Sequence, residues 1–221
     1  MRKRMVVAMV SLGWMVLAGS AFGAKPAAKP AAAPAGAQTL PAYTVGTSVQ
    51  NMVITYNRQM NAQARYTDMA AQAQKEGYRK VAKLFTGAAM SEGIQAAAIV
   101  KTLSAMKITV KAGLTKTAVG TTKSNLQAVV AEENQETGSM IPAFLNKAEA
   151  EKKNQAKGTL LGALAVEKSH AKLFAEALAN LAAWKADGDI FVCQVCGNVV
   201  EKVDFEYCPI CKASAGEFKK M

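Results

Sequence analysis

The sequence predicts a mainly α-helical chain, a four-helix bundle followed by a small metal-binding domain. Three observations predict it. Segments rich in Ala, Leu and Met, without β-branched runs, favour helix over sheet. Four long stretches repeat apolar residues every three or four positions, with a long polar link in their middle. The four cysteines form two Cys-x-x-Cys pairs within the last 29 residues. A chain of 221 residues is long enough for one sizeable core plus a small module.

The N-terminus is expected to be an export signal over residues 1–24. Arg2, Lys3 and Arg4 precede an apolar run from Met5 to about Ala18, and small residues follow in Ser20 to Ala24. The run is shorter than the ~20 residues that span a bilayer. An uncleaved anchor is the alternative. Residues 25–40, beginning KPAAKPAAAPAGAQ, space prolines among alanines with no apolar period and read as an extended tether. The bundle is assigned to 41–187 and the cysteine module to 188–221. The formal charge is +11, and losing Arg2, Lys3 and Arg4 would leave about +8. A basic balance suits acidic partners or membrane surfaces. No basic run alternates with aromatics, so nucleic acid is not an expected partner.

The first helix is expected over Val49 to Lys75, with Thr47 or Ser48 as cap and Gly77 as stop. Its inner face carries Met52, Tyr56, Gln59, Ala62, Tyr66 and Met69. The second runs from Arg79 to Met106 with Val81, Phe85, Ala88, Glu92, Gln95, Ile99 and Leu103 inward. Residues 107–123 form a polar connection long enough to cross over between non-adjacent helix ends. The third helix begins near Ser124 and aligns Leu126, Val129, Glu133, Glu136, Met140 and Phe144. Pro142 lies inside this pattern and should kink or break it. The fourth, from Gly158 to Trp184, aligns Leu160, Ala163, Glu167, His170, Phe174 and Leu178. Four such helices with a long central link indicate a ferritin-like bundle.

Glu92, Glu133, Glu136 and Glu167 fall on these apolar faces, together with His170, the chain's single histidine. A carboxylate buried alone costs several kcal/mol. No arginine is evident on the same faces, so a cation coordinated between the helices is expected. Glu167 and His170, at i and i+3, present both donors on one side of a helix, and Glu133 and Glu136 share that spacing. Carboxylate with imidazole suits non-haem iron, manganese or zinc. The competing reading is that the faces are wider and the acids reach water.

Cys193-x-x-Cys196 and Cys208-x-x-Cys211, eleven residues apart, form two thiolate turns that can close a tetrahedral site. Phe191, Phe205, Tyr207 and Phe218 are candidates for a small core around it. A segment of ~30 residues needs such a staple to fold. Two disulfides are the alternative in an oxidising compartment. Four thiolates do not decide between iron and zinc.

From about Ser48 to Phe218 the sequence resembles rubrerythrins. The likeness lies in NAQARYTDMAAQAQKEGY (61–78), AEENQETGSMIPAF (131–144), AVEKSHAKLF (165–174) and FVCQVCGNVVEKVDFEYCPIC (191–211). It implies a di-iron site in a ferritin-like bundle, joined to a rubredoxin-like iron centre. It further implies electron flow from the second to the first, reduction of hydrogen peroxide, and a head-to-tail homodimer. Carried over by position, the family's ligands fall on Gln59, Glu92, Gln95, Glu133, Glu136, Glu167 and His170, and its site tyrosine on Tyr66. Gln59 and Gln95 stand where the family has a glutamate and a histidine, and a neutral amide is a weaker ligand for iron.

The leading reading is therefore an exported, periplasmic iron protein, possible as a peroxidase-type oxidoreductase, whose electron donor the sequence does not name. The alternatives are a non-catalytic electron carrier with a degenerate bundle site, and a zinc-stapled binding protein. N-terminal sequencing of exported protein should read from Ala24 or Lys25, whereas Met1 retained in a membrane fraction would overturn the signal assignment.

Overall fold

The computed structural model describes residues 43–221. The expected signal and the whole of the expected tether lie outside the described residues. Among those described, no helix is long and apolar enough to cross a membrane.

Helix α1 spans Ser48–Lys75 and α2 spans Arg79–Ala105. Thr47 caps α1, its side chain accepting from the Gln50 amide while the Gln50 side chain accepts from Thr47. This reciprocal pair satisfies two free N–H groups at the helix start. Gly77, at φ +79°, turns the chain into α2. Residues 106–121 then cross over. Asn57 and Asn61 on α1 hold them, through Asn61 Nδ2 to the Gly113 carbonyl (2.9 Å), and Gly113 N to Asn57 Oδ1 (2.8 Å).

Helix α3, Thr122–Gln135, starts two residues before the sequence-based estimate because Thr121 caps it. Pro142 does not break the third helix. A single π turn over Glu136–Met140 widens it, and α4 resumes over Ile141–Ala150 with Pro142 in its first turn. A proline lacks the N–H of the regular ladder and its ring crowds the carbonyl four residues back. A widened turn ahead of it relieves both. Helix α5 spans Asn154–Ala179, earlier at both ends than expected. Trp184 belongs to a separate short turn, Ala183–Lys185, and is buried.

The bundle packs in three layers along its axis. One apolar layer contains Met52, Ile99, Leu103, Met140, Phe144 and Leu160. Another contains Tyr66, Phe85, Val129, Leu173 and Phe174. Between them lie the buried polar side chains Gln59, Glu92, Gln95, Glu133, Glu167 and His170.

The C-terminal module is a three-stranded antiparallel sheet with β1 (Phe191–Cys193) central, flanked by β2 (Val199–Val200) and β3 (Phe218–Lys220). Its core differs from the aromatic one expected. Phe205 and Phe218 stack edge-on at 5.2 Å, but Tyr207 is 61% exposed. Ile190, Val192 and Val199 are the buried residues, and they join the apolar layer of the bundle. The module thus borrows a core that its own length cannot supply.

Small residues make that docking possible. A Cβ on Gly87 would stand 3.1 Å from methyls of Ile190 and Val192. A Cβ on Gly197, at φ +87°, would stand 2.6 Å from Ser91 Oγ and 3.1 Å from the Ser91 carbonyl oxygen. Gly197→Ala adds a left-handed backbone cost of roughly 1–2 kcal/mol to that collision. It should loosen the module from the helices, measured as faster hydrogen exchange at Val192 and Val199 with the helix amides unchanged. Unchanged exchange at both would show that the close approach is not needed.

Candidate metal centres

Three helices of the bundle send one or two donors each into the polar layer. Glu92 comes from α2, Glu133 from α3, and Glu167 and His170 from α5. One ligand atom from each of these four lies within 4.8 Å of all the others. His170 Nδ1 is 2.9 Å from Glu167 Oε2, 3.4 Å from Glu92 Oε1 and 3.9 Å from Glu133 Oε1. Even so, both ring nitrogens, Glu167 Oε2 and Glu133 Oε2 are buried without an aligned hydrogen bond. Donors that crowd together without bonding to one another are arranged as ligands around a common centre. The set of three carboxylates and one imidazole fits iron.

The remaining oxygens are positioned by neighbours. The Tyr66 hydroxyl donates to Glu133 Oε1 at 2.9 Å. Gln95 Nε2 donates to Glu167 Oε1 at 2.9 Å, and Gln59 Nε2 to Gln95 Oε1 at 3.3 Å. Tyr66 therefore orients a carboxylate, and burial with the charge of Glu133 raises its pKa, keeping the hydroxyl protonated.

Burial and the charge of Glu167 push the Glu92 carboxyl up to about 8, and the same two causes raise Glu133 well above the carboxylate range. Burial opposes protonation of His170, but Glu167, Glu92 and Glu133 outweigh it and raise the imidazole well above 6.5.

Glu136 is not brought into this group. The expectation that the inner faces lack arginine is corrected by α1. Arg58 Nε and Nη2 reach Glu136 Oε1 at 2.7 and 2.5 Å, and Arg65 makes a two-pronged pair with Glu132. Burial still pushes the Glu136 carboxyl up to about 7 against the pull of Arg58. A sequence signal for this existed. Arg58 and Arg65 are two helical turns apart, opposite Glu132 and Glu136 one turn apart.

The four cysteines form the second centre, and none is in a disulfide. Cys193 and Cys211 sulfurs are 3.8 Å apart, and those of Cys196 and Cys208 are 3.7 Å apart. A disulfide would need about 2.05 Å, whereas a tetrahedron with ~2.3 Å metal–sulfur bonds has edges of about 3.8 Å. Burial raises the Cys193 thiol, while the backbone N–H groups of Cys196 and Val195 oppose it. At Cys208, burial is outweighed by the N–H groups of Cys211 and Ile210, and the pKa falls. Both turns aim amides at their first sulfur, which stabilises thiolate.

Comparison with known proteins identifies the family. The rubrerythrin family model matches residues 55–178. The chain belongs to the rubrerythrin family. Nigerythrin of Nitratidesulfovibrio vulgaris is 31% identical over 173 residues, covering 76% of this chain and 83% of that protein. Rubrerythrin of Porphyromonas gingivalis is 28% identical over 181 residues, covering 78% and 88%. The solved structure of nigerythrin in a mixed-valence state superposes with a TM-score of 0.75 at 29% identity, covering 81% of this chain and 88% of that one. An open-pore ferritin from Archaeoglobus fulgidus, at 15% identity and TM-score 0.55, shares the fold. The chain is thus a ferritin-like bundle with a C-terminal four-cysteine module, as a rubrerythrin should be.

Sequence reasoning also missed Ser91 and Ser169, which hold the module. Ser169 Oγ donates to the Val199 carbonyl at 2.9 Å, and Ser91 abuts Gly197.

The raised carboxyls make metal-free protein sensitive to pH. Glu92 keeps its proton in the folded chain up to about 8, but releases it in the unfolded chain near 4.5. Stability therefore falls as pH rises between those values. His170, also raised, adds stability that is complete below 6.5 and is lost at higher pH. Metal-free protein should melt roughly 5 °C or more lower at pH 8 than at pH 5.5. Added divalent metal should remove that difference. A flat melting temperature without metal would contradict the buried cluster.

Proposed function

We propose that the protein is an exported non-haem iron redox protein, in which the four-cysteine centre passes electrons to the bundle centre for the reduction of hydrogen peroxide. One observation carries this reading: the cysteine loop is fastened to the helices at the level of the bundle donors. Gly197, next to Cys196, lies on Ser91, the residue before Glu92. Val199 is bonded to Ser169, the residue before His170. Cys196 and Gln95 line one recess of ≈ 160 Å³, and Gln95 is bonded to Glu167. The recess admits only a small molecule, which suits peroxide. A solved structure of nigerythrin is described as all ferrous, and that relative's iron supports iron here.

Iron, when bound, would supply one-electron chemistry at both centres. Cys193, Cys196, Cys208 and Cys211 would hold one ion, and Glu92, Glu133, Glu167 and His170 another. Reducing H₂O₂ to two waters consumes two electrons and two protons, so an external donor must feed the cysteine centre. The resemblance implies a homodimer with transfer between subunits. The chain's own docked module supports transfer within one chain. The amide pair Gln59 and Gln95 favours one rival, an electron carrier whose bundle is catalytically idle.

Anaerobically reduced protein should lose the colourless reduced state and regain its red cysteine-centre absorption when peroxide is added. His170→Ala should slow that at least tenfold with the colour intact. Equal rates in both would leave the electron carrier as the function, and a colourless, zinc-only native protein would overturn the iron reading.

A further inference from the structure

We infer that the bundle centre is built for one metal ion, and that Arg58 with the Gln59–Gln95 amide pair fills the place a second ion would need. This rests on the reading that the bundle binds metal at all.

The argument starts from which oxygens are free. Five carboxyl groups surround the polar layer: Glu92, Glu132, Glu133, Glu136 and Glu167. Two of them already have cations. Arg65 takes Glu132, and Arg58 takes Glu136 through two nitrogens on one oxygen. A guanidinium cannot lose its charge in a protein. The Glu136 carboxylate is therefore neutralised by the chain itself.

The other carboxylates are half engaged. Glu133 gives Oε1 to the Tyr66 hydroxyl and keeps Oε2 unpartnered. Glu167 gives Oε1 to the Gln95 amide and turns Oε2 towards His170 Nδ1, 2.9 Å away. An oxygen that already accepts a hydrogen bond has one lone pair fewer to give, so each of these carboxylates offers its bare oxygen to an ion first. Glu133 Oε2, Glu167 Oε2 and a His170 nitrogen, none of them held by a group outside the cluster, are what one ion would gather, with Glu92 beside them.

Gln59 and Gln95 point the same way. Their amides are chained to each other and then to Glu167, so Gln95 presents N–H, not oxygen, to the cluster. Gln59 Oε1 is buried and unpartnered, but it is a neutral oxygen and offsets no added positive charge. The chain has no second histidine. A second divalent ion would meet a fixed guanidinium and two neutral amides in a buried layer, where like charges repel strongly.

The test uses the full chain with its cysteine centre loaded, titrated anaerobically with Mn²⁺, which prefers oxygen and nitrogen donors to thiolates. Stoichiometry is read by calorimetry and coupling by electron paramagnetic resonance. The unaltered chain should bind one Mn²⁺ with an uncoupled six-line spectrum. Arg58→Leu combined with Gln59→Glu and Gln95→His should bind two, with a coupled signal, while Arg58→Lys alone should still bind one. Two ions in the unaltered chain would overturn this inference and leave the proposed function standing. No ion in the bundle would overturn the metal reading beneath it. A folded triple variant that still binds one would overturn the roles given to Arg58 and the two glutamines.

Discussion

The structure depends on one constraint: carboxylates cannot sit in an apolar helix bundle without a positive charge beside them. The bundle places five near its centre and answers the constraint in two ways. Towards α1 the chain supplies its own cations, Arg58 and Arg65. Between α2, α3 and α5 it supplies no arginine or lysine among the described residues, and three carboxylates share one imidazole. Removing one partner from a buried pair is strongly destabilising, on the order of 3–5 kcal/mol. Without a metal, Glu92 and Glu133 meet this demand for positive charge by keeping their protons, which a cation would displace. The apolar layers above and below sharpen that demand by excluding water. They also keep the donors in register, since α1, α2, α5 and the continuous run from α3 to α4 each pass from one apolar layer through the polar one to the other.

Glu133 and Glu136 lie three residues apart on regular helical backbone, leading into the π turn that prepares the chain for Pro142. Their neighbours set them apart: Glu136 meets Arg58, whereas Glu133 lies by His170 and Tyr66. What packs against each acid separates one neutralised by arginine from one left for a metal.

Much of the fold was legible in the sequence because its signals are local and repeated. Helical periodicity, the Thr47 cap and the Gly77 stop need only neighbours along the chain. The donors Glu92, Glu133, Glu167 and His170 were legible because charged groups at core spacing are rare. The arginines were missed for a geometric reason. Arg58 flanks the face drawn through Gln59, and Arg65 flanks Tyr66, so a one-residue offset on a helix reads as solvent-facing. Only the packing of α1 against α3 turns that flank towards Glu132 and Glu136. The module's core was misjudged similarly. Its aromatics suggested self-sufficiency, whereas Ile190, Val192 and Val199 are buried in the apolar layer that the bundle helices build.

The two centres are coupled through helix geometry. Successive residues on a helix point about 100° apart. Ser91 and Glu92 on α2, and Ser169 and His170 on α5, use that angle in the same way. The first of each pair faces the cysteine module and the second faces the polar layer. Any rotation of α2 or α5 that improved one contact would disturb the other. A metal held by Glu92 and His170 would fix the rotation of both helices, and with it the platform on which Gly197 and Val199 rest. A metal held by the cysteines would fix the loop that rests there. Each centre, once loaded, would stiffen the seat of the other, through the two serines between them.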